Sequence, residues 1–98
     1  MTDHLTKARQ ILGRLKPDLM ARYHVGTIGL FGSIVRADFL PDTSDIDIIV
    51  SFTHPIGIEF VDLSNMLEKE LEGKVDLVSR NGVKRKYLDE IEKEIVYV

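Results

Sequence analysis

Between Asp45 and Phe52 the chain reads Asp-Ile-Asp-Ile-Ile-Val-Ser-Phe, and this segment restricts the possible folds more than any other. Side chains alternate along a strand, so Ile46, Ile48, Val50 and Phe52 share one face while Asp45, Asp47, Ile49 and Ser51 take the other. The first face needs a full apolar cover. The second begins with two carboxylates that aim the same way from Cα atoms roughly 6.5–7 Å apart. Left without partners they would repel, and carboxylates in so apolar a stretch need partners unless they lie solvated on an exposed edge-strand face.

The rest of the chain alternates helix and strand. Leu5, Ala8, Ile11, Leu12 and Leu15 recur at three and four, one buried helical stripe. Pro17 then removes a backbone donor, which predicts a kink or break and a second helical segment from Pro17 to about Tyr23. Val25–Phe31 reads as a buried strand bounded by Gly32. After Asp45–Phe52, the positions Ile58, Val61, Leu63, Met66, Leu67 and Leu71 trace a helix that Gly73 can terminate. Val75–Ser79 is a further strand, Asn81-Gly82 a turn, and Val83, Tyr87, Leu88 and Ile91 mark a last helix before an edge strand at Ile95–Val98. The expected architecture is a small three- or four-stranded sheet covered by helices. A helical crossover from Asp45–Phe52 to Val75–Ser79 favours a parallel pair there.

Composition narrows the function classes. Ninety-eight residues with 44% hydrophobic and 30% charged content fit one compact domain over residues 1–98. A domain of this size has little stability to spare, so a second copy or a tight partner would help it. Thirteen basic against sixteen acidic residues give a net charge of −3, the wrong sign for affinity drawn from neutralising a polynucleotide. Without cysteine there are no disulfides or thiolate metal sites. No apolar run approaches about 20 residues and Met1–Gln10 carries no signal-peptide pattern, so a cytoplasmic protein is expected.

Two short motifs carry chemistry. Gly32-Ser33 follows a strand directly, and Ile34-Val35-Arg36 can begin a helix, so free backbone N–H groups would face an anion such as a phosphate. Glycine permits close approach, and the Ser33 hydroxyl can donate to a phosphate oxygen. Asp45 and Asp47 would be reconciled by Mg²⁺ ions about 3.5–4 Å apart that also bind triphosphate oxygens. Asp76, second in its strand, could stand about 4.8 Å away on the neighbouring strand and complete the cluster, as metal ligand and as acceptor of a hydroxyl proton. A calcium loop is excluded, because Ile48-Ile49-Val50 follows at once where further oxygen ligands and a glycine are needed. An aspartyl-phosphate phosphatase is also excluded, since its acid pair follows the apolar strand rather than preceding it. His4, His24 and His54, the Lys84-Arg85-Lys86 cluster, and Tyr23, Tyr87 and Tyr97 read as surface, turn or core residues.

Leu30-Phe31-Gly32-Ser33-Ile34-Val35-Arg36-Ala37-Asp38, followed by Ser44-Asp45-Ile46-Asp47-Ile48-Ile49-Val50, resembles the signature of the minimal nucleotidyltransferases of the DNA polymerase beta superfamily. The resemblance extends over nearly the whole chain, including the third acid in Lys74-Val75-Asp76-Leu77-Val78. It implies a mixed α/β nucleotidyltransferase fold, phosphate binding by Gly32 and Ser33, and metal binding and catalysis by Asp45, Asp47 and Asp76. Arg36 and Asp38 match an Arg-Gly-Asp/Glu stretch, which places Arg36 either near the nucleotide's phosphates or against Asp38. Two departures are Ala37, where glycine is usual, and a spacer from Ile34 to Ser44 one residue longer than usual.

Small members of that family resemble the antitoxin half of modules whose other half is a HEPN ribonuclease toxin, and move AMP from ATP onto a toxin tyrosine. The resemblance therefore implies two Mg²⁺ ions, ATP as substrate and a HEPN-family partner that supplies its own docking surface. One ion held by all three aspartates would lower the acceptor hydroxyl's pKa, and a second, on Asp45 and Asp47, would neutralise the β- and γ-phosphates. The alternative expectation is a catalytically weak binding module that neutralises its partner by covering it.

Overall fold

The computed structural model describes residues 3–98. Asp3 opens helix α1 (His4–Tyr23) by accepting from the Thr6 N–H at 2.7 Å, an N-cap that satisfies one of the helix's free donors. α1 does not break at Pro17. Its buried stripe, Ala8, Leu12, Leu19 and Tyr23, continues across the proline, and both halves pack into one core. Pro17 and Gly13 lie on the exposed side, where water can take the carbonyl that the proline leaves without a donor. Packing on both sides thus overrides the missing bond.

Strand β1 (Val25–Phe31) leads through Gly32 into a single helical turn, α2 (Ser33–Arg36), and a loop to β2 (Ile46–Phe52). Helix α3 (Glu59–Leu71) then crosses to β3 (Val75–Ser79). A 3-10 turn (Arg80–Gly82), helix α4 (Arg85–Glu92) and the two-residue β4 (Val96–Tyr97) complete the chain. The left-handed residue closing α3 is Glu72, whose N–H returns to the Glu68 carbonyl, and not the expected Gly73. Gly73 serves another purpose. A Cβ there would stand 3.2 Å from Ile46 Cδ1, so its lack of a side chain lets the chain pass close to the start of β2.

The four strands lie in the order β3-β2-β1-β4, with β2 and β3 parallel and the other pairs antiparallel. The sheet is therefore mixed, with the parallel pair where the helical crossover placed it. The Ile46, Ile48 and Val50 face packs with Leu12, Leu19, Leu63 and Leu67 under α1 and α3 in the main core. The opposite face carries a much smaller apolar cluster, Phe31, Ile49 and Ile91, with α4 over it. Among the described residues no helix is long and apolar enough to cross a membrane.

Candidate active site

The topology brings three chain segments to one rim. β1 ends there, and β2 and β3 begin there. Phe31 pairs with Asp47 across the antiparallel ladder, and Asp47 pairs with Asp76 across the parallel one. Directly paired residues share a face, so Asp76 stands on the same side of the sheet as Asp47. Asp45 sits just before the first paired residue of β2, whose N–H is taken by the Lys74 carbonyl at 2.7 Å. The loop before it is closed by Ser44, whose hydroxyl accepts from the Leu40 N–H at 2.9 Å and whose own N–H reaches the Leu40 carbonyl at 2.7 Å.

Gly32 links the turn to the acids. Its backbone has φ 77° and ψ −150°, and a Cβ added there would overlap the Asp47 carboxylate. Only glycine meets both conditions. The N–H groups of Val35 and Arg36 bond the Gly32 carbonyl at 3.0 and 3.1 Å, which folds the chain into α2 with Ser33 at its start. Ala37 follows in the left-handed region at φ 70°, which explains why glycine is the easier residue at that position.

Asp47 is half-buried, whereas Asp45 and Asp76 are exposed. Burial pushes the Asp47 carboxyl up to about 6, and the charges of Asp76 and Asp45 push in the same direction. Arg36 opposes the shift and Glu94 adds to it. Three like charges on one rim are thus coupled through the buried member, a donor set of hard oxygens that suits Mg²⁺. The side chains do not already surround one point: among the described residues no three acids or histidines stand close enough together to hold a metal. The exposed Asp45 and Asp76 would have to turn inward.

Arg36 follows neither of its two expected placements alone. Its Nη1 donates to both carboxylate oxygens of Glu94, at 3.0 and 3.2 Å, and its Nε lies 3.8 Å from Asp38 Oδ1. Glu94 also accepts from the Gly32 N–H at 2.9 Å. Glu94 carries no local sequence signal of this role. Adjacency of β4 and β1 would have revealed it, because extending the pairs Gly29–Tyr97 and Leu30–Val96 by two residues sets Glu94 opposite Gly32. An open cavity of about 330 Å³ lies here, lined among others by Gly32, Arg36, Asp47, Tyr87 and Glu94.

Residues 5–98 match the nucleotidyltransferase domain family. The chain belongs to that family. It is 38% identical over 95 residues to the protein adenylyltransferase MntA of Thermococcus cleftensis, covering 96% of this chain and 95% of that protein. It is 35% identical over 96 residues to MJ0126 of Methanocaldococcus jannaschii, a candidate protein adenylyltransferase, covering 96% and 97%. A solved structure of a candidate minimal nucleotidyltransferase superposes with a TM-score of 0.77 at 26% identity, over 97% of this chain and 95% of that one. A toxin–antitoxin crystal structure with AMP-PNP has the same fold, with a TM-score of 0.73 at 23% identity over 92% of this chain and 70% of that one. The nucleotidyltransferase resemblance read from the Gly-Ser and Asp-x-Asp motifs therefore stands.

Proposed function

We propose that this nucleotidyltransferase domain transfers AMP from ATP to a hydroxyl group, a tyrosine of a HEPN-type toxin, and so acts as an antitoxin. The observation that carries the reading is the register Phe31–Asp47–Asp76, which sets the acids on one rim beside the Gly32 turn. The similarity to a protein adenylyltransferase supports the group transferred, and the fold shared with a toxin–antitoxin structure supports the kind of partner.

In this mechanism Gly32 and Ser33 hold phosphate oxygens of ATP through the backbone and the Ser33 hydroxyl, with the Arg36 guanidinium beside them. Asp45, Asp47 and Asp76 would hold Mg²⁺, which when bound supplies charge neutralisation at the phosphates and acidifies the acceptor hydroxyl. Asp76 accepts the hydroxyl proton, directly or through a water. The tyrosine oxygen forms a bond to the α-phosphorus as the bond to the bridging oxygen breaks, and pyrophosphate leaves with that electron pair. The open rim suits a macromolecular acceptor that brings its own contacts.

The test uses α-labelled ATP and a purified HEPN-type protein as acceptor. Label should appear on the partner, and Asp45→Asn or Asp47→Asn should lower transfer by roughly 10²–10⁴-fold, the rate equivalent of several kcal/mol. Full transfer in either folded variant would refute the assignment. An unmodified partner that is nonetheless inhibited would show neutralisation by occlusion instead.

A further inference from the structure

One contact at the rim is at odds with a site waiting for a polyanion. The two donors best placed to receive a phosphate, the Gly32 N–H and the Arg36 guanidinium, already hold a carboxylate, that of Glu94. The Gly32 amide has a single hydrogen, spent on Glu94 Oε1 at 2.9 Å, and Arg36 Nη1 spans both oxygens at 3.0 and 3.2 Å. The pair is anchored on the glutamate side, while the Arg36 side chain is 53% exposed. The Glu94 side chain is 26% exposed, set between the start of β4 and the buried Gly32. A carboxylate with two oxygens on a backbone N–H and a guanidinium presents the same acceptor pattern as a phosphate edge. It also adds a fourth negative charge to a rim that holds Asp45, Asp47 and Asp76. A substrate phosphate and Glu94 therefore cannot both take the single Gly32 hydrogen, and they compete for Arg36 Nη1.

We propose that Glu94 is an internal stand-in for a substrate phosphate, which occupies the Gly32 N–H and Arg36 in the nucleotide-free protein and is displaced when a nucleoside triphosphate binds. This rests on the phosphate-binding reading of the Gly32–Arg36 turn given above. In the free state the carboxylate keeps Arg36 and the turn in their binding conformation. The same carboxylate lowers apparent affinity, because every bound phosphate must outcompete it. Anions of low charge are excluded by that competition, whereas a triphosphate accompanied by cations offers enough charge to win. Release of pyrophosphate is assisted when Glu94 returns to the donors.

The test is calorimetric titration of the full chain with MgATP, for the wild type, Glu94→Gln, Glu94→Ala, Arg36→Ala and the Glu94→Gln/Arg36→Ala double variant. Loss of the competing charge should tighten binding about tenfold in Glu94→Gln, the scale of a hydrogen bond to a charged group, and at least as much in Glu94→Ala. The gain should shrink in the Arg36→Ala background, where only the Gly32 N–H is left to compete for. Glu94→Gln keeps the size and one acceptor of glutamate, so it carries the test if Glu94→Ala does not fold. Unchanged or weaker binding by Glu94→Gln, with the wild type binding normally and Arg36→Ala impaired, overturns the stand-in role and leaves the proposed function intact. Wild-type binding that is indifferent to Arg36→Ala removes the phosphate-binding reading and this inference together, as does absence of binding in every variant.

Discussion

The two faces of the sheet do opposite things with the same strands. Under α1 and α3, Leu12, Leu19, Ile28, Leu30, Ile48, Val50, Leu63 and Leu67 are fully buried, and among the described residues no polar or charged residue is buried. Under α4 the buried cluster is the small set Phe31, Ile49 and Ile91, and the rim beside it carries Asp45, Asp47, Asp76 and Glu94 with the Arg36 guanidinium among them. One face supplies the hydrophobic stabilisation. The other tolerates mutual repulsion and a left-handed turn because the first holds the strands in register.

The sharpest break of this contrast is in the large core. Leu63→Ala should destabilise the domain by about 2–5 kcal/mol, lowering the melting temperature by about 8 °C or more on the usual scaling of ~4–8 °C per kcal/mol. A loss under about 1 kcal/mol in denaturant titration would mean that this face does not dominate stability. Gly32→Ala should cost about 1–3 kcal/mol from its positive φ, with displacement of Asp47 and loss of label transfer as well. If Gly32→Ala melts normally and stays active, the close packing of turn and acid has no role.

The acid rim should respond in the opposite direction. The folded-state carboxyl of Asp47 titrates near 6 instead of 3.8, so the folded protein binds the extra proton more readily than the unfolded chain. Stability from this group is fully present at low pH and is lost as pH rises from about 4 to about 6. Without metal, Asp47→Asn should therefore melt higher than the wild type at pH 7, by on the order of 5 °C for about 1 kcal/mol after solvent screening, and no higher near pH 4. Equal melting at pH 7 would show that neither burial nor the neighbouring charges disfavour the ionised Asp47. Smallest is Ala37→Gly, expected to stabilise by about 0.5 kcal/mol, because glycine adopts φ 70° without strain but loses more chain entropy on folding. A destabilised Ala37→Gly in the same melt would contradict that account.

The faces were legible in the sequence for a physical reason. Alternation with a period of two fixes which side of a strand each residue takes, and so put Asp45 and Asp47 together and Ile48 and Val50 in the core. The crossover rule supplied the parallel β2–β3 pair, and with it the place of Asp76. Which strand lies next to β1 is a long-range outcome with no local periodic signal, so Glu94 went unseen although it packs against Gly32. Pro17 departs from its local expectation for a related reason: its penalty is real, but Leu19 and Tyr23 carry the buried stripe past it. Gly73 drew attention as a helix terminator, whereas its closeness to Ile46 is a tertiary contact.

Divalent cation binding itself tests the central claim most directly. Mn²⁺ can stand in for Mg²⁺ in an electron paramagnetic resonance titration, run in the presence of a non-hydrolysable ATP analogue. Wild-type protein should bind the ion, and Asp47→Asn and Asp76→Asn should each weaken binding by at least about tenfold, the effect of losing one charged oxygen ligand. Wild-type affinity in both folded variants would mean that the three aspartates share a rim without sharing a metal.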